Sequence, residues 1–321
     1  MQALVQHRYG GPEVLALEDI PRPEVGPGQV LLRVRAAGLN AADWRLMRAR
    51  PGLVRLFFGF SRPRIPTRGM DVAGVVAEVA PGVTELKVGD EVFGWGEGIL
   101  AEYAVVKQEN LRPKPANLSF EEASTLGIAA FTALQAVRDK GRVQPGQRVL
   151  INGASGGVGH FSVQIAKAYG AEVTAVCSGG NAELVRRLGA DRVVDYAKDD
   201  FVEGAIEHDV IIDVVGNRSL AELRRALTPT GTLVLVGARN DDPSGGIGRN
   251  LKAALLNLFS KQRLVSFVSR ANRPDLMVLE ELALAGKLRP AVARVYPMID
   301  AQDALQELEA GHVAGKLVVV V

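Results

Sequence analysis

The sequence has one cysteine in 321 residues, Cys177, which rules out a disulfide framework and fits a reducing cytoplasm. Histidine is nearly as scarce. His7, His160, His208 and His312 are scattered without ligand spacing, and surface positions are expected for all four. Net charge is close to balance, at +2, so neither an acidic partner nor a nucleic acid is implied. No uninterrupted apolar run reaches the ~20 residues of a membrane helix, and Met1 to His7 lacks the charged start and apolar core of a signal peptide. There is no internal repeat and no low-complexity tract. A cytoplasmic protein without a membrane partner is the expectation.

A hydrophobic content of 47% and a charged content of 23% are ordinary for a globular chain long enough to bury two cores. The stretch Arg148 to Gly159 organises the rest. An apolar run ending at Asn152 meets a glycine cluster, Gly153-Ala154-Ser155-Gly156-Gly157-Val158-Gly159, and a helical pattern continues to Tyr169. Gly170 closes that helix and a second apolar run, Glu172 to Cys177, follows, giving a βαβ unit. The turn reads Ala154-x-Gly156-x-x-Gly159, with alanine in the place of the first glycine of a dinucleotide fingerprint. Gly156 lets backbone N–H groups approach a diphosphate, Gly159 lets helix and strand pack closely, and the helix N-terminus supplies donors and positive potential. The nucleophile-elbow spelling Gly153-x-Ser155-x-Gly157 lies inside this phosphate turn and has no Asp and His partners in context.

Before this unit the chain reads as β-rich. Gln29 to Ala36, Asp71 to Ala80 and Leu100 to Lys107 look like half-buried strands separated by Gly and Pro turns, and they predict a barrel-like domain. Ser119-Phe120-Glu121-Glu122 has capping-box spacing and opens a helical stretch. After the glycine turn, strands are expected at 191–194, 209–215, 232–236 and 264–268, with helices at 182–188, 220–227 and 247–259. This alternation predicts a doubly wound parallel sheet. Segments 292–296 and 316–321 read as strands around a helix at 301–308, and the closing strand is expected to rejoin the first domain. The expected division is 1–118 with 288–321, and 119–287.

About ~20 residues past the glycine turn, NAD sites place an acid on the ribose hydroxyls. Here the second strand runs into Ser178-Gly179-Gly180-Asn181, with a hydroxyl where the acid is expected. Ser178 and the N–H groups of Gly179 and Gly180 suit a 2′-phosphate, which favours NADPH, with NADH the rival.

Residues 45–68 stand apart. They mix Arg45, Arg48, Arg50, Arg55, Arg62, Arg64 and Arg68 with Leu53, Leu56, Phe57, Phe58 and Phe60. Three readings stay open: a mobile lid, a basic RNA-binding patch, or a solvated amphipathic surface segment.

Taken together, Ala36 to Trp44, Gly69-Met70-Asp71-Val72-Ala73-Gly74, Gly89 to Gly94, Ile151 to Gly159, Gly189-Ala190-Asp191, Val194-Asp195-Tyr196, Asp213 to Asn217 and Gly315-Lys316-Leu317-Val318 resemble the medium-chain dehydrogenase/reductase superfamily. The likeness is to its zinc-independent quinone oxidoreductase branch and spans essentially the whole chain. It implies a split GroES-like substrate domain, a Rossmann domain for NADPH and a cleft between them. Zinc enzymes of the superfamily place Cys where Asn40 stands and His-Glu where Met70-Asp71 stands, so no metal is expected. The resemblance assigns Asn40 and Thr125 to the reaction end. To the coenzyme it assigns Asn152, Ala154, Ser155, Gly156, Gly157, Val158, Gly159, Ser178, Gly180, Asn181, Tyr196, Val215, Gly216, Gly237 and Lys316. The side-chain amide of Asn40 tying down its own loop is the competing reading, as helix packing is for Thr125. Relatives carry Arg or Lys after Ser178 where this chain has Gly180 and Asn181, a loss of about 1–3 kcal/mol of discrimination for a charged hydrogen bond.

Without zinc, the implied reaction is hydride transfer from NADPH to an acceptor that is already electrophilic, a quinone or an α,β-unsaturated carbonyl. Two other classes remain: a non-catalytic NADPH-binding protein, crystallin-like or RNA-binding, and an enoyl-thioester reductase. The apolar edge strand expected at 264–268 needs a partner, and relatives pair this edge across a two-fold axis, which implies a homodimer.

Overall fold

A computed structural model describes residues 1–203, 207–238, 242, 244 and 246–321. The chain opens with β1 (Gln2–Gln6), β2 (Leu15–Asp19), β3 (Gln29–Gly38), α1 (Ala41–Met47) and α2 (Arg55–Phe58). Next come β4 (Asp71–Val79), β5 (Glu91–Trp95), β6 (Tyr103–Lys107), β7 (Leu111–Pro113), α3 (Phe120–Ala123) and α4 (Ile128–Leu134). A π-helical stretch, Gln135–Gly141, leads to β8 (Arg148–Asn152), α5 (Gly159–Ala168), β9 (Glu172–Cys177), α6 (Ala182–Arg187) and β10 (Arg192–Asp195). The order continues β11 (His208–Asp213), α7 (Leu220–Arg225), β12 (Leu227–Leu235), α8 (Ile247–Asn257) and β13 (Arg263–Ser266). It ends with α9 (Arg273–Leu284), β14 (Val292–Pro297), α10 (Ala301–Ala310) and β15 (Lys316–Val320). Among the described residues no helix is long and apolar enough to cross a membrane.

These elements pack into two units. The first is residues 1–131, 271–286 and 290–321. Its large sheet runs β14-β15-β3-β4-β5-β7, with β6 also on β3, while β1 and β2 pair separately. As expected, the last strand returns: β15 lies antiparallel to β3 with Val318 opposite Gly38. Leu32, Val34, Trp44, Val72, Leu317 and Val319 close a core under this sheet, each large side chain contributing about 1.5–3 kcal/mol. Trp44 belongs to that core and is 2% exposed.

The second unit is residues 132–270 and 287–289. Its six strands are all parallel in the order β10-β9-β8-β11-β12-β13, the doubly wound sheet expected from the alternation. Strands covered on both faces read as continuous apolar runs, which is why Val149-Leu150-Ile151 and Val210-Ile211-Ile212 are entirely buried. Strand order reverses between β8 and β11. In open α/β sheets that switch point, at the carboxyl ends, is where ligands bind.

Three segments fall in the other unit from the one the sequence suggested, the shortest being 288–289, which packs with the parallel sheet. Residues 119–131 and 271–286 pack with the β-rich unit. The reason is local bonding: Ile128 N–H donates to Asp71 Oδ1 at 2.9 Å, Arg112 pairs with Glu280 at 2.7 Å, and Asn117 Nδ2 donates to Ala283 O at 2.8 Å.

Candidate active site

At the switch point the chain leaves β8 through Asn152 and enters the glycine turn. Gly153 and Ala154 donate N–H bonds to Val176 O at 3.1 and 2.9 Å, and Gly156 donates to Gly153 O at 3.1 Å. Among the described residues none of the turn's hydrogen bonds uses the N–H of Ser155, Gly157 or Val158, which leaves them to an anion at the head of α5. The two fingerprint glycines differ in what they permit. A Cβ on Gly159 would lie 2.0 Å from Gly153 O, so the helix seats directly on the turn only with glycine there. On Gly156 a Cβ would meet nothing closer than Gly153 O at 3.5 Å. The protein leaves that space open, as a cradle for a diphosphate requires. The residues therefore fit a dinucleotide.

Behind the turn lies a buried polar knot. Asn152 Nδ2 donates to Asp213 Oδ1 at 2.8 Å and to Asn217 Oδ1 at 2.9 Å, and Gly216 N–H donates to Asp213 Oδ1 at 3.1 Å. Asp213 has no exposure, and Arg249 of α8 neutralises it at 2.5 Å. Asn152 thus ties the ends of β8 and β11 together. Gly216 (φ +75°) and Gly237 let two strand ends meet, since a Cβ on Gly237 would lie 1.8 Å from Val214 O. Val215 stays 39% exposed beside them. The joint role of Asp213, Arg249 and Asn152 was not identifiable from local sequence, because Arg249 lies 36 residues after Asp213 and Asn152 lies 61 before it.

The loop after β9 comes to the same edge. Asn181 Nδ2 donates to Ser155 Oγ at 3.1 Å, joining the Ser178–Asn181 loop to the glycine turn. A Cβ on Gly180 would meet nothing within 4 Å. Tyr196, 50% exposed, follows β10, and its N–H donates to Cys177 O at 3.2 Å. The structure corrects one expectation here. The second strand ends without an acid, but its neighbour β10 supplies one: a Cβ on Gly179 would lie 2.5 Å from Asp195 Oδ2.

In the β-rich unit, Asn40, Asp43, Asp71 and Lys316 form a second buried cluster, none more than 5% exposed. Asn40 Nδ2 donates to Asp71 Oδ2 at 2.8 Å, and Lys316 Nζ donates to Asn40 Oδ1 at 2.5 Å and to Leu39 O at 2.6 Å. The ammonium is 3.8 Å from Asp71 Oδ2. Asp43 accepts the Asn40 N–H at 2.7 Å, so Asn40 heads α1 while its amide is clamped from both sides. Burial raises both carboxyls, Asp43 to about 7, and lowers the Lys316 ammonium.

This arrangement revises two assignments. Lys316 is buried inside the β-rich unit, donating to Leu39 O and Asn40 Oδ1 beside Asp71, so its bonds hold Asn40 rather than reach outward for a coenzyme. Thr125 has no exposure and donates its hydroxyl to Glu122 O at 2.7 Å, the packing alternative. Nor are all the histidines at the surface. His160 and His208 are buried, with Nδ1 atoms 3.0 Å from Gly156 O and 3.3 Å from Ala226 O. A zinc ion does not fit these residues: an amide and an ammonium face Asp71 where a second and third ligand would be needed. Among the described residues no group of three or more His, Cys, Asp or Glu is arranged to hold a metal.

Comparison with known proteins agrees with this geometry. Residues 26–116 match the alcohol dehydrogenase GroES-like domain, and residues 188–319 match a family described as zinc-binding dehydrogenase. The chain is 34% identical to the mitochondrial NAD(P)H oxidoreductase RTN4IP1 of Mus musculus, over 99% of this chain and 89% of that protein. It is 33% identical to the chloroplastic NADPH-dependent alkenal/one oxidoreductase of Arabidopsis thaliana, over 99% and 79%. Among solved structures, the quinone oxidoreductase from Coxiella burnetii superposes with a TM-score of 0.85 at 30% identity, covering 100% of this chain and 99% of that one. The chain belongs to the medium-chain dehydrogenase/reductase superfamily.

Proposed function

We propose that the chain is an NADPH-dependent reductase of quinones and α,β-unsaturated carbonyls that works without zinc. The observation that carries this is the pair of clusters. An open glycine turn at the switch point suits a dinucleotide, while the place of the metal ligands is taken by an Asn40 amide bonded to Lys316 and Asp71. The relatives' quinone, alkenal and NADPH specificities support the same reading.

The bound coenzyme supplies a hydride from its nicotinamide. The N–H groups of Ser155, Gly157 and Val158, with the positive end of α5, bind its diphosphate. Asn152 and Asp213 fix the strand ends against which it rests. Ser178 and the backbone of Gly180 contact the adenosine side, and Asp195 beside them moderates the preference for a 2′-phosphate. Since an amide and an ammonium stand where the ligands of a Lewis-acidic metal would be needed, the acceptor must bring its own electron deficiency, which conjugation provides.

The chain works in the cytoplasm, a reading its single, buried, free cysteine supports. It pairs as a homodimer along β13. That strand is the edge of the parallel sheet, Val268 just beyond it is 89% exposed, and α8, which packs on β13, carries exposed Ile247, Leu251 and Leu255 in one stripe, with exposed Leu258 just past its end. A scattering mass of one chain would contradict the pairing. For the activity, the test is NADPH oxidation followed by absorbance against a quinone, an enal, an enone and a saturated aldehyde. The first three should turn over and the last should not. No oxidation with any of them would leave a binding protein instead.

A further inference from the structure

Apart from Arg68, which lies close enough to Asp43 to interact with its carboxyl, the arginine-rich segment has no part in either cluster. Residues 44–70 hold seven arginines and no acid, in a chain whose net charge is only +2. Apolar side chains alternate with them and point to water: Leu53, Leu56, Phe57 and Phe60 are 60 to 78% exposed. A folded chain gains by burying such groups, so a run of four this bare marks a surface that something covers.

The exposure is built. Tyr9 Oη donates to Gly59 O at 2.7 Å, Arg64 N–H donates to Phe58 O at 2.8 Å, and the Arg55 guanidinium lies 5.1 Å from the centre of the Tyr9 ring. Gly59 (φ +117°) makes the reversal, since a Cβ there would sit 2.1 Å from Arg62 O. Upstream, Arg48 is paired with Glu309 at 2.5 Å. With the backbone bonded in this way, Phe57 and Phe60 cannot fold inward, and Arg50, Arg62 and Arg64 remain exposed around them.

We propose that residues 50–65 form a docking surface for an anionic lipid bilayer. The rings of Phe57 and Phe60, with Leu53 and Leu56, enter the boundary between headgroups and acyl chains, and Arg50, Arg62 and Arg64 meet the lipid phosphates. The charge pattern selects this occupant. A second copy across a two-fold axis would set arginines against arginines. RNA would use the guanidiniums and stack on the rings, but the aliphatic Leu53, Leu56 and Ile65 offer it nothing. The surface is independent of the reading given for the nucleotide site.

The test is flotation of the full chain with phosphatidylcholine vesicles, with and without phosphatidylglycerol. Binding should need the anionic lipid and weaken as salt rises. At about fivefold per cation, Arg50→Glu with Arg62→Glu and Arg64→Glu should lower the partition coefficient roughly 100-fold. Phe57→Ser with Phe60→Ser should lower it at least about tenfold, since two apolar rings leave the membrane. Both variants should keep the wild-type melting temperature and turnover with a water-soluble quinone. Failure to bind anionic vesicles, binding that neither variant reduces, RNA capture lost in the arginine variant, or self-association lost in the phenylalanine variant would each overturn the proposal.

Discussion

Lys316 donates to the Asn40 side-chain oxygen at 2.5 Å, from a position 2% exposed. The same amide gives its hydrogen to Asp71, so a lysine and an aspartate set the orientation of Asn40 from opposite sides. Breaking one half of such a buried pair leaves an uncompensated charge, which typically costs about 3–5 kcal/mol. Lys316→Met alone should therefore lose that much in urea unfolding. Lys316→Met combined with Asp71→Leu should lose less than the sum of the singles. Additive losses would mean that the two groups do not interact.

Asp43 gives this cluster a pH dependence. Burial lifts its carboxyl to about 7, the nearby Asp71 carboxylate adds to the rise, and the Asn40 N–H works against it. The folded chain thus keeps a proton that the unfolded chain releases near pH 3.8. Stability from this source is present in full below about pH 4 and falls as pH climbs towards 7, by an amount on the order of a few kcal/mol. Asp43→Asn should flatten that part of the stability–pH curve. A curve of unchanged slope would show that Asp43 is ionised throughout.

The two fingerprint glycines should separate folding from binding. Gly159→Ala drives a methyl to 2.0 Å from Gly153 O and should lower the melting temperature. Gly156→Ala meets nothing closer than 3.5 Å and should leave the melting temperature alone. It should still raise the Kd for NADPH about tenfold or more, equivalent to about 1.4 kcal/mol. Unimpaired NADPH binding in Gly156→Ala would place the diphosphate elsewhere.

Asp195 predicts a change in coenzyme preference. Its carboxylate lies beside Gly179 in the loop that carries Ser178 and Gly180, where it would repel a 2′-phosphate bound as proposed. Asp195→Asn should raise the ratio of kcat/KM for NADPH over NADH by about fivefold to tenfold, the scale of one partly solvated like-charge contact. A falling ratio would mean that Asp195 serves the phosphate through some other group.

Much of this was legible in the sequence. The parallel sheet was, because strands buried on both faces leave apolar runs, and Ser119 with Glu122 heads α3 by a capping box visible in the spelling. The glycine turn was legible as well, since Gly159 is dictated by contacts a few residues away. What escaped depends on distant parts of the chain. Helix α9 (Arg273–Leu284) was not anticipated. Lys316 reads as the start of a strand, and only β15 pairing with β3 brings it to Asn40, 276 residues earlier. Asp195 reads as the residue after the strand expected at 191–194, and its bearing on Gly179 follows only from β10 lying beside β9. His160 and His208 looked like surface residues because nothing local shows that a helix turn and a strand end will be covered.

The central claim is direct hydride transfer from NADPH to a conjugated acceptor without a metal. It is tested by reducing an enone with NADPH deuterated at the transferring position, using protein dialysed against a strong chelator. The expected product carries deuterium on the β-carbon, formed at the undialysed rate. Product without that label, or turnover lost on chelation and restored by zinc, would contradict it.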